Sequence, residues 1–206
     1  GEERKGRFLI VSNRGEYEIP FHVVVLHKVL ESSEGELMNL FQFTNLARNN
    51  WEEAVKLFYS PDFIRVFNGQ DKKYRNLYKG FSQIPGNMQN VEEFLVSIHK
   101  KQPVEYMLPR TEIVITSLHG QLCETLQVVK NGWGYSRLQV EVEGDFISTE
   151  KKILRDEDFL GNQCGLPVFV KQEALHEGKN FGRIILSHAY GQMQASVTVI
   201  KRGEHR

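Results

Sequence analysis

The chain has 206 residues, 40% of them hydrophobic and 25% charged. That is a globular balance with length enough for one large core or two modest ones, and it excludes wholesale disorder. Lysine plus arginine equals aspartate plus glutamate at 26 each, so the basic surplus by which nucleic-acid binders release counterions is absent and nucleic acid is not an expected partner.

Two cysteines, Cys123 and Cys164, are too few for a disulfide scaffold and show no C-x-x-C or Cys/His metal spacing. They read as ordinary small residues, and neither a metal nor another cofactor is expected. No run of about 18 apolar residues occurs, so no membrane span is expected. The start, GEERKGRFLI, lacks a signal-peptide profile. Together with the low cysteine content this leans cytoplasmic, while sandwich modules in tandem lean extracellular.

In chain order, Phe8-Leu9-Ile10-Val11, a turn around Asn13-Arg14-Gly15 and the alternation of Tyr17, Ile19, Phe21, Val23 and Val25 with Glu16, Glu18, Pro20, His22 and Val24 predict a β-hairpin. Pro20 cannot donate to a ladder and favours an edge or a bulge. Residues 36–100 change to helical spacing. Leu37, Leu40, Phe41, Thr44 and Leu46-Ala47 lead into Trp51, Ala54, Val55, Leu57 and Phe58. Ser60-Pro61-Asp62 reads as a helix start, Asp71 to Phe81 carries one apolar stripe, and Asn87 or Asn90 caps a last helix ending in His99-Lys100-Lys101, whose charges suit the helix dipole. Trp51 is expected to face the helical core.

After Pro103 the pattern returns to strands: Val104–Leu108, Glu112–Leu118, Thr125–Lys130, Ser136–Val142, Phe146–Ser148, Leu166–Lys171, Gly182–His188 and Gln192–Ile200. Short strands at this spacing favour an antiparallel, immunoglobulin-like β-sandwich. The predicted fold class is α+β by content, with an N-terminal β-hairpin (1–30), a small helical connector (31–102) and the sandwich (103–206).

The first hairpin echoes the last. Placed 176 positions on, residues 6–24 align with 182–200 without a gap. Gly6/Gly182, Arg7/Arg183, Gly15/Gly191 and Val23/Val199 are identical, and the alternation is preserved. One account is that all hairpins alternate and need a turn glycine; the preferred reading is that both are closing hairpins of related sandwiches, the first belonging to one whose earlier strands would lie upstream. Because an isolated hairpin is marginal in water, it must pack on the helices, the sandwich or a neighbouring chain, and an oligomer through the N-terminal hairpin is one expected outcome.

The stretches FLIVSNRGEYEIPFHVVV, LARNNWEEAVKLFYSPDF, VEGDFISTEKKILRDEDFLGN and GKNFGRIIL resemble a family of large multidomain proteins of clostridial-type Gram-positive bacteria that carry a domain of unknown function. The resemblance implies sandwich modules with helical segments. It implies no catalytic residues.

Catalytic patterns are sparse. The seven histidines (His22, His27, His99, His119, His176, His188 and His205) form no H-E-x-x-H or H-x-H pattern, and no P-loop, G-x-G-x-x-G helix start or G-x-S-x-G elbow occurs. Asp156-Glu157-Asp158, near Asp145 and Glu150, could serve a glycosidase, which needs two carboxylates roughly 5–10 Å apart across a cleft. A solvated loop is the simpler reading. Trp133 and Tyr135 at a turn, with Tyr190, form a possible ligand or partner surface, although Trp133 could instead fold back over the sandwich end. The expected function is a non-catalytic interaction or scaffold module, meeting a protein partner or other domains of its own chain. The alternative is a carbohydrate-binding sandwich using the turn aromatics.

Overall fold

The computed structural model describes residues 2–25, 29–116 and 122–203. His27, His119 and His205, and the end of the strand expected at Glu112–Leu118, lie outside them. The chain divides into two compact units, Gly1–Gly86 and Asn87–Arg206.

The first unit opens with the hairpin β1 (Glu2–Ser12) and β2 (Gly15–Val25). A small hairpin, β3 (Leu30–Ser32) with β4 (Gly35–Leu37), follows. Helices α1 (Leu40–Asn49) and α2 (Trp51–Phe58) come next, each started by an asparagine. Asn39 Oδ1 accepts from the Gln42 amide and Asn50 Oδ1 from the Glu53 amide, satisfying donors a helix start leaves open. Ser60 caps as expected, accepting from the Asp62 amide, but the segment it starts, Pro61–Val66, is a 3-10 helix. The stripe predicted from Asp71 divides into a 3-10 turn, Gly69–Tyr74, and helix α3 (Arg75–Phe81). The core here is aromatic: Phe43 meets Phe63 edge-on at 4.7 Å, and Tyr78 packs on Phe58, Phe63 and Phe67. The Tyr78 hydroxyl donates to the Phe58 carbonyl at 2.7 Å, the partner a buried phenol needs. Trp51 is half-buried.

The second unit begins with α4 (Met88–Ser97), capped by Asn87, whose Oδ1 accepts from the Asn90 amide. By its contacts this helix falls in the same compact unit as the sandwich strands. It ends on His99 at φ 59, with the Lys100 and His99 amides returning to the Leu95 and Val96 carbonyls. This is a Schellman closure without the usual glycine.

The strands are β5 (Glu105–Met107), β6 (Glu112–Thr116), β7 (Cys123–Asn131), β8 (Arg137–Glu143), β9 (Ile147–Thr149), β10 (Ile153–Arg155), β11 (Gln163–Val170), β12 (Gly178–His188) and β13 (Gly191–Lys201). They form two sheets, β10-β8-β12-β13-β6 and β5-β7-β11-β9. One core of Ile113, Ile115, Leu126, Val128, Leu138, Leu166, Val168, Ile184, Leu186 and Val197, with other apolar residues, fills the sandwich. All eight predicted strands are present. Two features depart from the prediction: β10 is an additional strand, and β13 runs parallel to β6, so the sandwich is antiparallel except at that edge.

The echo between the hairpins holds residue for residue. A shift of 176 takes β1 onto β12 and β2 onto β13 with the same ends. It also takes each cross-strand pair onto its counterpart, Phe8↔Ile19 onto Ile184↔Ala195 and Ser12↔Gly15 onto His188↔Gly191. Both hairpins therefore turn in two residues, and corresponding side chains fall on the same face of each.

Candidate functional site

Two surface features are the candidates: a cleft in the second unit and the face of the first hairpin.

The cleft, of about 250 Å³, is bordered by Gln89 and Glu92 of α4, Val104, Tyr106 of β5, Tyr135, Arg137 and Gln139 before and along β8, and Ser187 to Tyr190 at the β12–β13 turn. Its wall is built on a buried ion pair. Lys101 Nζ lies 2.7 Å from Glu92 Oε1 and also donates to the Gln102 carbonyl at 2.9 Å. The Tyr135 amide donates to Glu92 Oε2 at 3.4 Å, and the Trp133 ring lies 4.7 Å from Lys101 Nζ, a cation–π distance. Burial pushes the Glu92 carboxyl above its usual range and the Lys101 ammonium below its own, and the bond between them opposes both shifts. Gly134 makes the approach possible. Its φ is +105, and a Cβ there would stand 2.6 Å from both Glu92 Oε2 and Lys101 Cε.

The structure brings Tyr135 and Tyr190 to the same cleft and leaves Trp133 off its lining. Trp133 is half-buried beside Lys101 and Tyr190 is half-exposed. Sequence reasoning did not find Glu92, Lys101, Tyr106, Arg137 or His188. Lys101 reads in sequence as a last-turn lysine, and nothing in the chain order shows that it meets Glu92. The Tyr106 and His188 rings lie 5.0 Å apart. Burial raises the Tyr106 hydroxyl above its usual range and lowers the His188 ring below its own.

The acidic cluster lies apart from the cleft lining. Asp156–Asp158 is a 3-10 turn in which Asp156 pairs with Lys130, and Asp158 pairs with Lys151 while accepting from the Arg155 amide at 2.8 Å. Among the described residues lining the cleft, Glu92 is the only carboxylate. Among the described residues, no three His, Cys, Asp or Glu gather as metal ligands, and no helix is long and apolar enough to cross a membrane. Cys123 is exposed, Cys164 is buried, and both are free thiols.

The second feature is the hairpin face. Phe8, Ile10, Tyr17, Ile19 and Val23 share one side and are all exposed, Phe8 at 61% and Ile10 at 47%. Leu9, Val11 and Val24, on the other side, are exposed as well. In the matching hairpin, Ile184 and Leu186 stand at the positions of Phe8 and Ile10 and are 0% exposed. Phe21 lies over Gly6, where a side chain would collide with its ring, and stacks on Phe8 at 4.8 Å.

Fold and surface together define an immunoglobulin-like sandwich module with a helical unit and an apolar hairpin. The chain belongs to the N-terminal family of unknown function DUF5717, whose profile matches residues 1–206. Among solved structures it is similar to the periplasmic chaperone SfaE (12% identity, TM-score 0.37, covering 49% of this chain and 58% of that one). It is also similar to a FixG-related protein from Vibrio parahaemolyticus (16%, 0.35, 50% and 99%) and to the titin M3 domain (11%, 0.29, 49% and 100%). The comparison with curated proteins finds no match.

Proposed function

We propose that this chain is a non-catalytic interaction module of a larger bacterial protein, with the β1–β2 hairpin as its docking element. One observation carries the reading: side chains whose counterparts in β12–β13 are buried stand in solvent in β1–β2. Contiguous apolar surface of this kind marks a contact site. The resemblance to large multidomain proteins supports a setting in which such a module joins others. The test is co-purification from cells carrying the full-length protein. Ile10→Asp with Ile19→Asp is expected to abolish recovery of the partner while the far-ultraviolet circular dichroism is unchanged. Undiminished recovery refutes the reading.

A second reading is favoured by the cleft, where Tyr135 and Tyr190 border one space with Gln89, Arg137 and Gln139. Aromatic rings beside hydrogen-bonding side chains suit a sugar. Titration with neutral oligosaccharides, followed by tyrosine NMR signals, tests it; shifts lost in Tyr190→Ala support it, and an unchanged spectrum rejects it.

A further inference from the structure

We propose, resting on the interaction reading above, that β1 is an open docking edge and that its occupant is a second immunoglobulin-like module lacking its own closing hairpin. The argument comes from what surrounds β12 and β13. In the five-stranded sheet, β12 pairs with β8 on the side away from β13, Arg183 to Ser187 running antiparallel to Glu143 to Gln139. β13 pairs with β6 on its own outer side. The second sheet and the core cover the inner face. The same shift of 176 assigns each neighbour a counterpart. Arg7 to Val11 takes a strand in the role of β8, Pro20 to Val24 one in the role of β6, and the face of Phe8, Ile10, Ile19, Phe21 and Val23 takes an opposing sheet.

The two edges are not equivalent. The Ser196 amide donates outward to the Thr111 carbonyl at 2.8 Å, and its counterpart is Pro20, which has no amide hydrogen. The proline leaves the β1–β2 ladder intact and removes a donor from the outer edge of β2, a common way of blunting an edge. β1 carries no proline. Docking therefore proceeds along β1, by strand addition.

Arg7 specifies the partner further. Arg183 holds Gln194 across the hairpin at 3.0 Å and grips Glu143 of β8 with two nitrogens. Arg7 repeats the first contact, reaching Glu18 at 3.1 Å, and Glu18 is the counterpart of Gln194. The place of Glu143 belongs to the docking strand, which therefore carries a carboxylate opposite Arg7.

The test places a benzophenone photo-crosslinker at Leu9, and separately at His22, in the full-length protein in its own cells. Adducts are mapped by mass spectrometry. The Leu9 probe is expected to label a strand outside residues 1–206 that belongs to an immunoglobulin-like sandwich without its last two strands and holds Asp or Glu opposite Arg7. Its yield should exceed that from His22 and fall several-fold with Arg7→Ala. Leu9 is exposed, so the probe does not disturb the fold. Adducts within residues 1–206 of a second copy, or on a partner without such a sandwich, overturn the assignment and leave the interaction reading standing. No adduct, with β1 amides exchanging as fast as in free solvent, overturns both.

Discussion

Glu92 and Lys101 face each other at 2.7 Å with side chains 4% and 0% exposed, a buried charge pair on which the turn carrying Trp133 and Tyr135 rests through the Tyr135 amide and the Trp133 ring. Removing one partner strands the other in a poorly solvated place. Glu92→Leu or Lys101→Met is expected to lower unfolding free energy by about 3–5 kcal/mol. The double variant with Leu at 92 and Met at 101 is expected to lose less than either single change, because it leaves no unpaired charge. Urea unfolding of the four proteins forms the cycle that checks this.

Gly134 belongs to the same assembly. Gly134→Ala forces a side chain into a positive-φ position and against Glu92 and Lys101. A destabilisation of about 1–3 kcal/mol is expected from the backbone alone, and more if the pair is displaced. Gly86→Ala, which also sits at positive φ but has nothing within 4 Å of the added carbon, separates the two contributions when their thermal midpoints are compared.

His188 gives the second unit a pH dependence. Burial beside Tyr106 holds its folded pKa below the ordinary 6.5, so the unfolded chain binds its proton more readily. Its contribution to stability is present above the unfolded value and is lost as pH falls toward the folded one. Glu92 and Arg137 line the same cleft. Urea midpoints taken from pH 8 downward are expected to drop through this window, and His188→Gln is expected to flatten that part of the profile. An unchanged slope in the variant would assign the effect to another group.

The strands were legible because alternation of side chains follows directly from pleating: Ile113, Ile115, Leu126, Val128, Leu138 and Val140 all announce a buried face. β10 was not, since Ile153-Leu154 is a lone apolar pair between Lys151-Lys152 and Arg155, with no alternation to mark a face. The parallel pairing of β13 with β6 was hidden because local sequence sets a strand's faces and not its neighbour. The wall of the cleft was hidden for a related reason. Glu92 and Lys101 have the composition of solvated positions, and only the chain reversal at His99 that ends α4 brings them together. Tyr135 and Tyr190 could be singled out because large rings at turns are hard to bury; that they share a cleft follows from the sandwich bringing its β7–β8 and β12–β13 turns to one place.

The paired hairpins permit a test in which one substitution is made twice. Leu186 is fully buried in the sandwich core, and Leu186→Ala is expected to remove about 2–5 kcal/mol. Ile10 holds the corresponding position on β1, opposite Tyr17 as Leu186 is opposite Met193, yet it is 47% exposed. In residues 1–206 alone, Ile10→Ala is expected to change stability by no more than about 0.5 kcal/mol. In the full-length protein, with the docking partner in place, the same change should approach the cost seen at 186, because the side chain is then enclosed in the same way. Guanidinium unfolding of both variants in both lengths checks the pattern, and a large loss at Ile10 in the short chain would show that the hairpin is already covered.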